Sequence, residues 1–314
     1  MIESFLTVAR QVGVLALLMG VGYVCKRKRV LDESAVKGIV DLLLYIVAPC
    51  LIVTAFQRPF ARADAEAALV TAAMAFAIQF AGWGISLAIR DKANLATQGV
   101  LRFAVVFSNA GFMGLPLDQA LLGTDGVFYG SIYIAVFNLT SWTLGLAIMC
   151  GDLSCLEMKQ LVRNPGLIGI ALGLPLFLTS TTLPEPVHSA VASMGELNTP
   201  LAMIVIGYYL AQSRARRFTF AGCRMQVALA YFLRLAGVSI AVVPVLYVLC
   251  RRWPVPCVAM SIVTAAPVAA VTAMFAAKFG KDVESAASIV AGTTVVSIFT
   301  MPFIVGFSLW LFGV

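Results

Sequence analysis

Ten apolar segments follow one another along the chain, and each is long enough to cross a bilayer as a helix. The segments cover residues 4–25, 38–56, 65–89, 97–122, 127–151, 165–183, 186–211, 221–250, 255–277 and 285–312. The polar stretches between them are short, so no separate soluble domain is expected. The pattern predicts an all-α membrane protein with ten transmembrane helices, here called spans 1 to 10, in a lipid bilayer.

Basic residues distinguish the two sides of this arrangement. When the stretches between spans are assigned alternately to two sides, sixteen Lys and Arg residues fall on one side and five on the other. Arg234 falls within a span. The positive-inside rule places the side with sixteen in the cytoplasm, so both chain termini are expected outside the cell (inner) membrane.

Composition narrows the class of protein further. Hydrophobic residues make up 61% of the chain and charged residues 12%, and the mean hydropathy is +0.96, which excludes a soluble domain. The net charge of +7 comes mainly from short loops, so we expect no nucleic-acid partner. Seven scattered cysteines without a CxxC motif predict no metal site, no disulfide framework and no cofactor. Cys250 and Cys257 could pair on one face, but we interpret them as unrelated thiols.

The prolines indicate an internal repeat. Pro49 and Pro116 are 67 residues apart, as are Pro200 and Pro267, and a shift of 151 residues superimposes the two pairs. This shift maps span 2 onto span 7 and span 4 onto span 9. Because each half has an odd number of spans, the second half would be inverted, as in many secondary transporters. The predicted repeats are residues 1–151 and 152–314.

Span 4 contains Ser108–Asp118, the stretch around which we expect the functional site to form. Gly111, Gly114 and Pro116 lie within six positions of one another, and they favour an unwound backbone because Pro lacks an N–H and Gly unwinds at low cost. A simple proline kink is the alternative. Backbone groups freed by unwinding must face protein or a watery cavity. We predict a second broken helix in span 9, at Pro267.

Two opposed broken helices would place the N-termini of two half-helices near the middle of the membrane. Such ends carry unpaired N–H donors and about half a positive charge, which favours anions. The predicted site therefore suits a solute with a carboxylate, which Ser108, Asn109 and Thr264 could hydrogen-bond. The predicted substrate-binding residues are Ser108, Asn109, Gly111, Met113, Pro116, Thr264, Ala266 and Pro267.

Three charged residues within spans are candidates for ion or proton coupling. Asp118 follows the expected break and could take up a proton or steady a cation, or it could be solvated near the outer end of span 4. Glu196 in span 7 could face the cavity or act in gating, or it could be structural. Arg234 in span 8 could balance a bound anion, but we favour an ion pair with Asp118 or Glu196.

These motifs resemble the auxin efflux carrier family of membrane transporters. The stretch Asn109-Ala-Gly-Phe-Met-Gly-Leu-Pro-Leu117 follows the family's Asn-x-x-x-Met-Gly-(Ile/Leu)-Pro-Leu pattern, and Arg163-Asn164-Pro165 and Ala266-Pro267 are similar to its spans 6 and 9. The resemblance implies two inverted repeats of five helices with crossed, broken spans 4 and 9. It also implies a scaffold of spans 1, 2, 6 and 7, often dimeric, and a transport unit of spans 3–5 and 8–10 that moves as an elevator. A substrate-binding role for Asn109 is implied as well.

The predicted function is that of a secondary carrier for small organic anions, either monocarboxylates or dicarboxylates. Only Asp152 to Arg163 separate spans 5 and 6, where plant members have a long loop, so a compact bacterial-type carrier is expected. The alternative is a sodium-coupled carrier resembling the bile acid symporters. An enzyme is disfavoured because no span contains a metal-ligand cluster and the one histidine, His188, lies near an outer loop. The sequence contains no Walker-type phosphate-binding loop, which argues against an ATP-driven pump.

Overall fold

The computed structural model describes residues 2–90, 95–151, 165–212 and 225–314, and within these ranges the chain is helical and contains no strand. Its α-helices are α1 (Ile2–Arg27), α2 (Glu33–Leu42), α3 (Ala48–Phe56), α4 (Arg62–Ser86), α5 (Leu95–Val106), α6 (Leu115–Thr140), α7 (Leu146–Cys150), α8 (Pro165–Leu178), α9 (Glu185–Glu196), α10 (Asn198–Gln212), α11 (Met225–Phe232), α12 (Val238–Cys250), α13 (Pro254–Ala265), α14 (Val271–Lys278) and α15 (Val283–Phe312). The helices are joined in places by π-helical turns at Leu43–Val47, Ala110–Gly114, Ser141–Gly145 and Leu233–Gly237. Arg163 and Asn164 of the predicted motif lie outside the described residues.

Seven helical stretches in the described residues are long and apolar enough to cross a membrane. They are Ile2–Arg27, Glu33–Phe56, Arg62–Ser86, Ala110–Cys150, Glu185–Gln212, Met225–Cys250 and Val283–Phe312. Helices α5, α8 and α13 are apolar but shorter. The all-helical fold is thus confirmed for the described residues, while the count of ten spans stays a prediction.

A reversal at Gly123 divides the stretch Ala110–Cys150, which is 41 residues long. Gly123 has a φ of 63° and a ψ of −142°, a conformation that glycine adopts because it has no Cβ. The chain packs against itself on either side of this residue: a Cβ added at Gly130 would lie 2.6 Å from Asp118 Oδ2. The predicted boundary between spans 4 and 5, residues 122–127, falls at this reversal.

Close helix pairs hold the long helices together. Helices α1 and α10 meet at Gly22 and Gly207, and at each glycine the backbone of the other helix fills the place of a Cβ. Helices α8 and α3 meet in a similar way, with Gly173 against the side chain of Phe56. Gly22 and Gly173 are 151 residues apart, which is the shift of the predicted repeat. Small residues at helix contacts are typical of membrane proteins, where close backbone packing drives association.

The cysteines differ from the expectation at one position. Cys25, Cys50, Cys250 and Cys257 are free thiols. Cys250 and Cys257 are therefore not joined by a disulfide, and the Cys257 thiol donates instead to the Cys250 carbonyl at 3.2 Å. Cys150, at the end of α7, is disulfide-bonded, a bond that the sequence analysis did not predict. Scattered positions in a sequence do not show which thiols the fold brings together.

Candidate functional site

Both predicted breaks are present in the structure. Helix α5 ends at Val106, residues 107–109 are unwound, and the chain is helical again from the π-helical turn Ala110–Gly114. Helix α13 ends at Ala265, residues 266–270 are not helical, and α14 follows. Four helix ends are therefore created by the two breaks, two of them C-terminal and two N-terminal.

The two unwound stretches pair with each other. The Asn109 N–H donates to the Pro267 carbonyl at 2.7 Å, and the Ala269 N–H donates to the Phe107 carbonyl at 3.0 Å. These two bonds form an antiparallel β-bridge between the breaks. Backbone groups without partners are costly inside a bilayer. The pairing gives these backbone N–H and carbonyl groups hydrogen-bond partners, and it fixes the position of one break relative to the other.

The break in span 4 lies earlier in the chain than the sequence predicts. Gly111, Gly114 and Pro116 are helical, and the unwound residues precede all three. Pro116 occupies the first turn of α6, a position where its missing N–H is tolerated. Gly114 serves packing, because a Cβ added there would lie 3.0 Å from Val263 Cγ1. The prediction that Pro116 opens span 4 is wrong, whereas Pro267 does lie in the unwound stretch of span 9.

Asn109 caps the half-helix that follows the break in span 4. Its Oδ1 accepts a hydrogen bond from the Phe112 N–H at 3.4 Å, and its carbonyl accepts one from the Met113 N–H at 3.0 Å. Asparagine at this position stabilises a helix start by satisfying a backbone donor. Because Oδ1 is engaged in the cap, the Nδ2 amide is left to donate to a ligand. Asn109 is 5% exposed, and it lines the cavity described next.

A cavity of about 540 Å³ lies where the two breaks meet. Its wall includes the N-terminal ends of both following half-helices, at Asn109, Gly111 and Phe112 in one and at residues 269–271 in the other. A Cβ added at Gly111 would meet nothing within 4 Å, so the backbone there borders open space. None of the described residues lining the cavity has a charged side chain. The positive ends of the two half-helices are therefore its main electrostatic feature.

The rest of the wall combines apolar side chains with amides and a hydroxyl. Its larger apolar and aromatic side chains are those of Leu44, Tyr45, Ile52, Phe112, Leu115, Ile134, Phe137, Trp142 and Met274. Its polar side chains include those of Asn138, Ser141 and Asn198. The Asn198 Nδ2 is buried and has no hydrogen-bond partner among the described residues. Since a buried donor without a partner is costly, the Asn198 amide is an unsatisfied polar group at the cavity wall.

The predicted substrate-binding residues are only partly brought together. Ser108, Asn109 and Gly111 line the cavity. The remaining predicted residues are not among its described lining: Met113, Pro116, Thr264, Ala266 and Pro267. Met113 packs in an apolar core, and the Thr264 hydroxyl donates to the Met260 carbonyl of its own helix. Thr264 is therefore committed to its helix rather than available to a substrate.

Asn138, Ser141 and Asn198 were missed by sequence reasoning. Each lies within a predicted apolar segment, and polar residues in such segments are candidates for function. That signal was present in the sequence, but it does not show which helical face a side chain occupies. The structure supplies this information by placing all three side chains on one cavity.

The two candidate carboxylates, those of Asp118 and Glu196, are not among the described residues that line the cavity. Asp118 is 0% exposed, and neither of its carboxyl oxygens has a hydrogen-bond partner among the described residues. It is therefore not solvated, contrary to one of the two sequence interpretations. Glu196 is exposed at the end of α9 and is not among the described residues that line the cavity. The cavity-facing position predicted for Glu196 is not found.

Arg234 takes a position that the sequence did not predict. It is 1% exposed, and its Nη1 donates to the carbonyls of Val105 at 3.1 Å and Val106 at 3.3 Å. Its Nη2 donates to the carbonyl of Thr264. None of the ion pairs among the described residues includes Arg234. The expected ion pair with a carboxylate is wrong, because the cation lies against the negative C-terminal ends of α5 and α13.

Broken helices that meet at a cavity, in a chain this apolar, are typical of a multi-pass membrane transporter. A family profile described as "Membrane transport protein" matches the chain twice, at residues 7–154 and 152–305. The chain belongs to this family, the auxin efflux carrier family of membrane transporters, and the resemblance seen in the sequence is confirmed. Members of this family are transporters rather than enzymes. No curated protein matches the chain significantly.

Proposed function

We propose that the protein is a secondary carrier that moves small organic anions across the cell membrane. In this proposal the carboxylate of the substrate binds where the two breaks meet. The observation that carries it is that the N-terminal ends of two half-helices line one cavity of about 540 Å³. Their N–H groups and dipoles favour an anion, and Asn109 and Asn198 add uncharged donors. The volume is within the range of small-molecule sites.

The cavity wall favours monocarboxylates with an apolar body over dicarboxylates. No described lining residue is charged, so a second carboxylate would lose its hydration without gaining a counter-ion. The rings of Phe112, Phe137 and Trp142 offer an apolar surface for the body of the substrate. One carboxylate can be bound at the half-helix ends while the rest of the molecule packs against these rings.

A thermal-shift series on the purified protein tests this proposal. Benzoate should raise the melting temperature with increasing concentration, because a ligand that binds only the folded state stabilises it. Benzamide has the same ring without the charge, and phthalate has a second carboxylate, so both should have smaller effects. An equal shift with benzamide would contradict an anion site, and a larger shift with phthalate would contradict the preference for monocarboxylates. If none of benzoate, isovalerate and phthalate raised the melting temperature, the carboxylate site would be contradicted altogether.

Contacts at one end of the helices support ten alternating spans. The Phe60 N–H, in the loop after span 2, donates to Ser180 Oγ at 2.9 Å, and Ser180 lies at the end of span 6, just past the last residue of α8. Arg58 of the same loop pairs with Asp125, which lies just past the reversal between spans 4 and 5. In an alternating arrangement of ten spans these three loops share the outer side. Their contacts are therefore those that the proposed topology requires.

Contacts at the opposite end agree with the same topology. Thr97 at the start of span 4 donates to Asp282, between spans 9 and 10, at 2.6 Å. The neighbouring Lys281 donates to the carbonyl of Cys150, at the end of span 5, at 3.5 Å. The two profile matches, one for each half of the chain, support the repeats proposed at 1–151 and 152–314. We place this end in the cytoplasm and both termini outside, from the distribution of basic residues.

The cavity supports an inward-facing state in the proposed elevator cycle. Val40, Trp142, Pro165 and Met274 line it, and all four lie in the halves of their spans next to the basic side. At the other end an aromatic cluster fills the space between helices, with the rings of Phe56 and Phe128 4.8 Å apart. Spans 1, 2, 6 and 7 are proposed as the scaffold. Spans 3–5 and 8–10 are proposed to carry the anion past it.

Asp118 is our candidate for coupling transport to protons, and its protonation state can be tested. A buried carboxylate with neither counter-ion nor hydrogen bond would cost several kcal/mol, so we propose that Asp118 is a neutral acid in this state. Asp118→Asn should then leave the melting temperature of the purified protein unchanged or raise it, because an uncharged group of the same shape takes its place. A melting temperature far below that of the wild type would show that the ionised carboxylate is required here, and would contradict the proposed role.

A further inference from the structure

Arg234 binds the helix ends that face away from the proposed anion site. Its guanidinium holds the last carbonyls of α5, those of Val105 and Val106, and a carbonyl of the last turn of α13, that of Thr264. It is not among the described residues that line the cavity. The two breaks thus present their N-terminal ends to the cavity and their C-terminal ends to one buried cation.

Two helix C-termini that meet in a buried place need a positive charge. The last four carbonyls of a helix have no donor within the helix, and the end carries about half a negative charge. In carriers with discontinuous helices, such ends and unwound carbonyls coordinate the Na⁺ or H⁺ that is transported with the substrate. In this chain the C-terminal ends of α5 and α13 receive a guanidinium from span 8 instead.

The guanidinium suits this task better than a point charge would. Its two terminal nitrogens reach carbonyls of two different helices at once, which uses the fixed fork geometry of arginine. The Nε atom is buried and has no partner among the described residues, so the group is held through those two nitrogens. Arg234 also lies in the π-helical turn Leu233–Gly237, a local distortion that is frequent at functional sites.

We propose that Arg234 is a tethered counter-cation that occupies the place of a co-transported cation at the paired half-helix ends. Because this cation cannot leave, the two C-termini stay neutralised throughout the transport cycle and the carrier works without sodium. Arg234 is then a positioning residue, which acts on the anion through the half-helices whose relative position it fixes. The inference rests on the broken-helix carrier of the proposed function, but not on the identity of its substrate.

Replacing Arg234 should create a dependence on added cations that the wild type lacks. In choline chloride, we expect Arg234→Ala to melt at a lower temperature than the wild type and to bind benzoate at least about tenfold more weakly. Millimolar guanidinium or Na⁺ should restore part of both quantities, because the three carbonyls can then bind a free cation. The wild type should melt at the same temperature in choline and in sodium chloride.

Arg102→Ala is the matched control, since Arg102 also donates to backbone but from Nε to one carbonyl, that of Ile89, at 3.0 Å. Its melting temperature should not respond to guanidinium or Na⁺ beyond the wild-type response. A folded Arg234→Ala protein that responds to neither cation would overturn the proposal, as would sodium dependence in the wild type. The melting curves need no substrate, so they separate this inference from a failure of benzoate to bind.

If Arg234→Ala cannot be recovered as folded protein, Arg234→Lys and Arg234→Gln replace it. The lysine variant keeps a tethered charge and should be independent of added cations. The glutamine variant keeps hydrogen-bond donors but loses the charge, so Na⁺ should raise its melting temperature. If the melting temperatures of both variants were unaffected by added Na⁺, the proposal would be overturned, because the charge at this position would then be dispensable.

Discussion

We expect Asn109→Asp to weaken benzoate binding severely and to leave the fold intact. The cap on the Phe112 N–H survives, because aspartate at the N-cap is as effective as asparagine. The Nδ2 donor is lost, and a hydrogen bond to a charged group is worth about 1.5–3 kcal/mol, or roughly ten- to hundredfold in affinity. A negative charge placed beside the bound carboxylate adds repulsion, so we expect a loss of more than about a hundredfold.

Asn109→Ala separates the two roles of this side chain. It removes the cap as well as the donor, so it should lower the melting temperature by more than Asn109→Asp does. Its loss of benzoate affinity should be about ten- to hundredfold. Benzamide binding should change little in the aspartate variant, because no repulsion acts on a neutral ligand. If the aspartate variant melts lower but binds benzoate as tightly as the wild type, Asn109 serves the backbone alone.

Gly22→Ala should destabilise the protein strongly, although it adds a single methyl group. The backbone of α10 at Ile204 lies where the new Cβ would be, so the two helices must move apart along their contact. Overpacking of a close contact costs about 1–3 kcal/mol and occasionally more. The reciprocal substitution Gly207→Ala meets the backbone at Met19 and should have an effect of the same size. Melting of the purified variants measures both.

Gly20 and Gly13 provide the controls within the same helix. A Cβ added at either position would meet nothing within 4 Å. Alanine is favoured over glycine inside a helix by about 0.5–1 kcal/mol, so Gly20→Ala and Gly13→Ala should keep or slightly raise the melting temperature. The account of helix packing would be contradicted if Gly22→Ala were as stable as Gly20→Ala.

The all-helical, multi-pass character could be predicted because long apolar runs have few alternatives to membrane-spanning helices. The span-4 break was found in the right region but placed too late. Gly111 and Pro116 show where a helix is weakened, and the actual position depends on pairing between residues 107–109 and 267–269. That pairing is a contact between distant parts of the chain. Local helix-breaking signals do not contain it.

The role of Arg234 could not be predicted for a different physical reason. Charge reasoning looks for a carboxylate partner, and Asp118 and Glu196 were the candidates in the sequence. The actual partners are backbone carbonyls of Val105, Val106 and Thr264. Every residue has a carbonyl, so no side-chain pattern marks these three. They become acceptors only because the breaks leave them without helical donors.

Polar wall residues were only partly predictable. Asn109 was identified through its motif, whereas Asn198 in span 7 was not assigned to the site. The Asn198 side chain enters the cavity wall because α10 begins at this residue, next to the end of α9. Thr264 shows the converse, since its hydroxyl bonds to its own helix at Met260. Residue type indicates chemistry, but the direction of a side chain depends on where each helix begins and ends.

Protection of a thiol in the cavity tests most directly that the anion binds where the two breaks meet. Ala270 lines the cavity at the second break, so the cysteine introduced by Ala270→Cys should react more slowly with a maleimide when benzoate is bound. Benzamide should not protect it at the same concentration. The cysteine introduced by Thr182→Cys, at an exposed position, should react at one rate throughout. Equal reaction of the Ala270→Cys protein with and without benzoate, under conditions where benzoate raises its melting temperature, would contradict the account.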